Sequence, residues 1–407
     1  DMDYATGEYW MDKFIADLSM NKVGLDPYPI ALRGVNWMKF ITQYVDEIGE
    51  EQWKRWNESL YAQYVLLNKK LEYHLLGNHL LEDVYSLFIA AIYFGDKGFY
   101  LKAMRVLKRE LDEQVLPDGA HFEQSPMYHC ILLDRLLDCC NFSFQNLRFD
   151  GQEQVNGFLK AKAIQLNDSA YGIAPVPSEL FAYARRLGIA WQARPMKECG
   201  YRKLSGKRME GIVDVGNIMA SYQPGHSHAD TFSYELRMDG SPFIVDTGIS
   251  TYNKTERRLL ERSTPAHNTV TVGGKNSSEV WSGFRMGRRA QVTVLADMQN
   301  RIKACHNGFG RKCLHTRTFR WEDNLLEIED RIDAPCEACS YIHFAPGVSV
   351  RECDDHGICT DKAKVDVEGA SRIEIVDGTV SCEYNRFLPV KIAKLYFTTH
   401  LKYTISF

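Results

Sequence analysis

The spacing of apolar residues changes once along the chain, and that change constrains the fold more than any other feature. From Tyr4 to about Gly188 apolar residues recur every three or four positions, as in EEQWKRWNESLYAQYVLLNKKLEY, HLLEDVYSLFIAAIYFG and GFYLKAMRVLKRELDEQVL. That period places them on one face of a helix. Breakers at Asp26-Pro27-Tyr28-Pro29, Gly95-Asp96-Lys97-Gly98 and Pro117-Asp118-Gly119 separate the runs, which predicts helix pairs joined by short turns, as in a toroid or bundle. No fixed-period repeat is visible, so a named solenoid is not supported. After about Pro195, short runs such as GIVDVGNIMASYQ, TFSYELRMDG, SPFIVDTG, NTVTVGG, RAQVTVLADM and LLEIEDRID alternate apolar and polar residues. Many such strands bounded by Gly, Asp or Asn predict an antiparallel β-sandwich. The expected fold class is α+β multidomain, with a helical domain over 1–195 and a β-sandwich over 196–407.

Composition narrows the function. With 45% hydrophobic and 25% charged residues the chain is neither disordered nor collagen-like. Its 49 Lys+Arg against 53 Asp+Glu, a net charge of −4, leave no basic excess to neutralise phosphates, so a general nucleic-acid binder is not expected. No apolar run approaches the ~18 residues of a membrane span. The first residues lack the basic start and apolar stretch of a signal peptide, and an initiator Met, so the chain is expected to begin inside a longer precursor. Eleven cysteines are an odd number, and their irregular spacing reads as buried thiols, with Cys139-Cys140 in an apolar helical run. The absence of a disulfide pattern points to a reducing compartment. Cys336-x-x-Cys339 with Cys353 and Cys359 is spaced wrongly for a zinc ribbon.

Chemistry concentrates in three places. Asn78-His79 opens a strongly apolar helix: Asn78 is either a cap or, with His79, a donor at a helix N-terminus that favours an anionic group. Asp118-Gly-Ala-His121-Phe-Glu123-Gln-Ser-Pro-Met-Tyr128-His129 is rich in proton-moving groups, with Pro126 suited to a first helical turn. Pro224-Gly225-His226-Ser227-His228-Ala229-Asp230 is followed by Asp246 and by His267-Asn268. On extended chain His226 and His228 point the same way, and two imidazoles with one carboxylate suit zinc; a hydrogen-bonded structural cluster is the equal alternative. Arg257, Arg258, Arg262, Arg285, Arg288 and Arg289 form either a local polyanion patch or a solvated or Asp/Glu-paired face.

Taken together these segments resemble the heparinase II/III superfamily of polysaccharide lyases. The resemblance runs through Arg33-Gly-Val-Asn36-Trp37, Asn78-His79, DGAHFEQSPMYH, PGHSHADTFSYEL, VDTGISTYN, RSTPAHNTV and WSGFRMGRRA, in order across nearly the whole chain. It implies an incomplete α/α toroid followed by an antiparallel β-sandwich, and β-elimination at a uronic acid. By that resemblance Asn78, Tyr128 and His226 are catalytic, with Asn78 meeting the C5 carboxylate, Tyr128 acting as acid and same-face base, and His226 as base for the opposite configuration. His79, Glu123, Arg257 and Arg262 would contact substrate, and His228, Asp246 and His267 would hold a structural zinc or another divalent metal. The implied partner is an acidic polysaccharide, either a glycosaminoglycan or a bacterial capsular or exopolysaccharide, with periplasmic or secreted localisation and the cytoplasm as the alternative. The shorter helical part implies a more open cleft, and exposed sandwich aromatics suggest a homodimer. The competing readings are a non-catalytic carbohydrate-binding or capsule-assembly protein of the same fold, and a zinc hydrolase with water on an open metal position.

Overall fold

The computed structural model describes residues 3–20, 22–173, 178–190, 196–222, 224–353 and 357–407, the side chains of 167–173 excepted. The chain divides into two compact units, Asp1–Phe122 with Pro126–Ala193, and Glu123–Ser125 with Arg194–Phe407. The expected boundary after residue 195 falls on Pro195, outside the described residues. The architecture is α+β, with helices ahead of antiparallel sheets.

The helical unit is built around Gly77–Phe94, which is buried without interruption from Leu80 to Ile92. A helix apolar on every face must be enclosed by others, and Pro27–Gln43, Lys97–Gln114 and Pro126–Gln145 enclose this one. Glu50–Lys69 packs on Pro27–Gln43, and Gln152–Ile173 on Pro126–Gln145. Each Leu or Phe so buried contributes about 1.5–3 kcal/mol. The two acidic residues in the central helix each have a partner, although Asp83 Oδ1 is buried without one. Arg135 Nε donates to Glu82 at 2.9 Å, and Asp83 accepts the Glu72 backbone N–H at 2.9 Å. Burial pushes the Asp83 carboxyl up to about 8.

The second unit stacks antiparallel sheets over one core. One sheet runs Tyr201–Ser205, Met209–Asp214, Tyr234–Met238 and Ser241–Ile244. An eight-stranded sheet has Leu325–Ile332 and His315–Glu322 near its centre, and another four-stranded sheet joins Arg372–Glu383, Arg386–Phe397, Ala338–His343 and Val270–Val272. Phe243, Phe319, Ile328, Ala393 and Tyr403 pack in one cluster from all three, as the inward faces of a sandwich do.

Cysteine pairing departs from expectation: Cys353 and Cys359 form a disulfide, on strands Val350–Cys353 and Gly357–Thr360 that pair in antiparallel register. This removes both from any zinc set with Cys336 and Cys339. Cys139 and Cys140 are buried thiols as expected, and burial pushes the Cys140 thiol up to about 12. Among the described residues no helix is long and apolar enough to cross a membrane.

Candidate functional site

In the helical unit, Asn78 and His79 lie in the first turn of Gly77–Phe94. The cap position falls on Leu76, so Asn78 is not the cap. Leu76 has φ 56 and ψ −156, a region open essentially to glycine alone, and strain of this kind gathers at functional sites. Glycine follows it, with φ 55. This turn sets where Asn78 and His79 emerge, at the positive end of the helix. Glu72 Oε2 lies 3.0 Å from His79 Nδ1, and the Tyr28 ring lies 4.8 Å from the His79 ring. Gln114, which the sequence did not single out, is fully buried. Its amide donates to Gly77 O at 3.1 Å, and its oxygen lies 3.2 Å from His121 Nε2. It thus ties the Asn78 helix entry to the 118–121 turn.

The proton-rich run separates into different tasks. His121 and His129 are buried; His129 Nδ1 accepts the His121 backbone N–H at 3.1 Å, and its Nε2 lies 2.8 Å from Leu166 O. Burial pushes this imidazole down to about 4, so it is a neutral structural tie. Pro126 opens Pro126–Gln145 as expected, which puts Tyr128 in its first turn, half-buried.

Glu123–Ser125 groups with the β unit, and Gln124 shows how. Gln124 has φ 59; its side-chain amide donates to Cys199 O at 2.6 Å and accepts from Met219 N at 3.1 Å. The Tyr201 hydroxyl donates to Gln124 O at 2.6 Å. Glu123, fixed beside it, brings Oε2 to 2.7 Å from His226 Nδ1. Asp214, Asn217 and Asp230 line the same small cleft as this pair. Burial, with the charge of Asp230 adding to it, pushes Asp214 up to about 8. Neither Asp214 nor its closeness to Asp230 was signalled by the strand pattern that contains it.

The segment carrying His226 and His228 is a turn, with Ser227 N donating to Pro224 O at 3.3 Å. The same-side expectation for extended chain therefore fails, and the two rings diverge. His226 meets Glu123, while His228 lies 5.2 Å ring to ring from His267, with Arg258 3.5 Å from its Nε2. Asp246 Oδ2 lies 2.5 Å from His267 Nδ1. Burial opposes both charges, but each partner overrides it: Asp246 is held well below the usual carboxylate range, and His267 is raised. His228, Asp246 and His267 are thus gathered, and His267 Nε2 is buried without a hydrogen-bond partner. The donor chemistry suits a zinc-type ion. As placed, Asp246 and His267 satisfy each other, and among the described residues no three donors converge at metal-ligand spacing.

The expected arginine patch is split: Arg258 and Arg262 are internal, Arg257 and Arg289 half-buried, and Arg285 and Arg288 exposed. Arg262 is fully buried; its guanidinium donates to Ser227 O at 2.9 Å and Arg285 O at 3.1 Å, so it braces the histidine turn instead of meeting substrate. Arg258 is likewise buried, donating to Gly283 O at 3.1 Å and Gly225 O at 3.2 Å. Arg289 donates to Ala220 O at 2.6 Å. Arg257 is partly exposed, held by Glu261 at 2.7 Å and Thr379 at 3.0 Å over the Phe387 ring. Backbone carbonyls in this loop-rich region need donors, and the arginines supply them.

The family model described as "Heparinase II/III-like, C-terminal" matches residues 189–406, and that described as "Heparinase II/III N-terminus" matches 39–152. No curated protein matches the chain in sequence. A solved structure of heparinase III is 14% identical, over 99% of this chain and 74% of that one, with a TM-score of 0.78. Heparan sulfate lyase HepC from Pedobacter heparinus is 16% identical over 99% and 73%, with a TM-score of 0.64. The chondroitin AC lyase of Streptomyces coelicolor A3, in complex with chondroitin sulphate, is 11% identical over 99% and 70%, with a TM-score of 0.58. At these identities the likeness is one of fold.

Proposed function

Because the chain belongs to the heparinase II/III family, we propose that it is a polysaccharide lyase that cleaves a uronic-acid-containing polysaccharide by β-elimination. The C5 proton leaves to a base, the bond from C4 to the glycosidic oxygen breaks, a C4–C5 double bond forms, and the departing oxygen takes a proton; no water is added. Asn78, with His79 beside it, donates to the C5 carboxylate and stabilises the charge that develops as the proton leaves. Tyr128 protonates the departing oxygen, and also takes the C5 proton where both lie on one face. His226 takes that proton for the opposite sugar configuration.

The observation that carries this reading is the 2.7 Å contact between Glu123 Oε2 and His226 Nδ1. A carboxylate there holds the Nδ1 proton, assigns proton uptake to Nε2 and stabilises the imidazolium that results. Glu123 then works through His226, a positioning role in place of the substrate contact expected of it. Arg257 remains the arginine assigned to the anionic polymer. The substrate class is an acidic polysaccharide, a glycosaminoglycan or a bacterial capsular or exopolysaccharide, and the enzyme is assigned to the periplasm or the cell exterior.

His228, Asp246 and His267 are assigned a divalent ion, zinc in the first instance, which would cross-link their three segments. Binding would replace the Asp246–His267 hydrogen bond. In His228→Ala, bound metal by elemental analysis and the melting temperature should fall together; unchanged metal content removes this ligand set.

The activity is tested by ultraviolet absorbance of the new double bond during incubation with heparan sulfate, chondroitin, alginate and bacterial capsular polysaccharides. Rising absorbance on one polymer is expected and names the substrate class. Polymer binding without any rise would replace the lyase by a carbohydrate-binding or assembly role.

A further inference from the structure

A buried ion pair lies in the middle of the sandwich, on strands with no assigned role. Arg317 and Asp330 face each other in the register between His315–Glu322 and Leu325–Ile332, and neither is exposed at all. Two charges are costly to bury unless every donor and acceptor is matched. Here they are. Arg317 Nε donates to Asp330 Oδ1 at 2.7 Å and one terminal nitrogen to Oδ2 at 2.8 Å, the two-pronged geometry that guanidinium favours. The same nitrogen donates to Ser340 Oγ at 3.1 Å. The other terminal nitrogen donates to two backbone carbonyls, Phe232 O at 2.9 Å and Asn268 O at 2.8 Å. All five N–H donors of the side chain are thereby used.

The carboxylate is matched as fully. The Gly308 backbone N–H donates to His306 Nδ1 at 3.0 Å, so the proton of that ring is on Nε2. It points to His315 Nδ1 at 3.0 Å, which leaves the His315 proton on Nε2, 2.7 Å from Asp330 Oδ1. Two neutral imidazoles thus deliver a further donor to Asp330, and their direction is set by one backbone amide.

The two carbonyls matter because of what they adjoin. Phe232, with φ 70, is four residues past His228 and ends the histidine turn. Asn268 follows His267 directly. Asn268 also donates from its side chain to Val245 O at 2.9 Å, the residue before Asp246, and to Tyr234 O at 2.8 Å. A single guanidinium nitrogen therefore bridges the segments bearing His226, His228 and His267, and Asn268 passes the tie to Asp246.

We propose that Arg317 is a positioning residue that sets the spacing between the His226–His228 turn and the His267 segment. The assignment of a role to that spacing rests on the lyase reading above. A simple stabilising ion pair would not need carbonyls from two site loops, and a well-packed apolar pair would serve a core at least as well. Lysine cannot substitute, since an ammonium is a point charge without the planar fork.

The test compares Arg317→Lys with Ile328→Ala, a cavity variant in the neighbouring strand whose apolar side chain makes no hydrogen bond to either loop, both assayed well below their melting temperatures. A misplacement of about 1 Å in a catalytic group costs roughly 100-fold in rate. Arg317→Lys should therefore lose about that much kcat with KM changed less than about threefold, while Ile328→Ala keeps kcat. Hydrogen exchange read by mass spectrometry should rise in Arg317→Lys for peptides 224–234 and 264–272, with the rest of the sandwich unchanged. Equal kcat loss in both variants, or exchange raised throughout the sandwich or in neither peptide, overturns the proposal. Should the wild type turn over no polymer, the lyase reading fails while the exchange comparison still decides the clamp. If Arg317→Lys does not fold, Ser340→Ala, which unpairs one donor only, is followed on the same peptides: exchange raised in those two alone supports the clamp, and any other pattern overturns it.

Discussion

The two units differ in how they place most of their candidate residues. In the β unit each side chain is tethered by another: His226 by Glu123, His267 by Asp246, and the turn around them by the buried Arg262. In the helical unit Asn78 and Tyr128 are placed by the first turns of two helices, with a strained Leu76 ahead of one and Pro126 opening the other, while His79 beside Asn78 is met by Glu72. The difference teaches a division of labour. On the proposed lyase reading, the groups that need a fixed proton position are the ones gripped by carboxylates, and the groups assigned to the sugar are presented on helix ends, where the macrodipole favours an anion.

The first way to break this comparison is Tyr128→Phe, which removes the acid and leaves the helix turn intact. Turnover should fall by about 10³-fold or more, with polymer binding retained; full turnover would take Tyr128 out of the mechanism and the helical unit out of the chemistry. Acid tests the packing behind it. The folded His129 titrates at about 4, pushed down by burial against the opposing pull of Leu166 O and Asp118, while an unfolded histidine titrates near 6.5. Between those values the unfolded chain binds a proton that the folded one does not. The contribution is therefore complete above about pH 6.5 and is lost as pH falls to about 4, roughly 3 kcal/mol in all. Denaturant titrations at pH 7 and pH 4 should differ by that much less in His129→Gln; an equal difference would mean the imidazole is not a neutral tie. Asn78→Ala sharpens the comparison further, since Asn78 is not the cap. Turnover should drop about 100-fold with a melting temperature close to wild type, whereas a fall in stability alone would return the residue to a capping role.

What the sequence disclosed follows the same line. Period alone located the long elements, because a helix as apolar as Gly77–Phe94 or a strand as alternating as Leu325–Ile332 is fixed by its own burial. Asn78 and Tyr128 were singled out through motif order and helix-start chemistry, both local. What stayed hidden depends on pairing between distant segments. Nothing local says that Glu123 groups with the sandwich, that a Pro-Gly turn sends His226 and His228 apart, or that Arg262 spends its donors on Ser227 O. Cys353–Cys359 closes across a hairpin that composition does not announce. Arg317 was the nearest to legible: in His-Thr-Arg-Thr-Phe-Arg-Trp the alternation that buries His315, Phe319 and Trp321 also buries Arg317, and a charge on the inward face of a strand is a question in itself.

The mildest perturbation addresses the carboxylate grip. Glu123→Gln keeps the shape of the side chain and an oxygen that can accept from His226 Nδ1, so the ring orientation and its tautomer survive. What it removes is the charge that stabilises the imidazolium once the proton has arrived. Outer partners of this kind contribute about 10- to 100-fold, and the isosteric change should fall at the lower end, about 10-fold in kcat, with KM little altered. Glu123→Ala removes orientation as well and should lie nearer 100-fold. The interval between the two variants is the informative quantity, because it separates holding the ring from stabilising its charge. If both variants turn over like wild type on a substrate that needs His226, the β unit does not grip its base through Glu123. The contrast between tethered residues and those placed by helix turns would then lose its strongest example, and the histidine turn, braced by Arg262 and Arg317, would have to position His226 unaided.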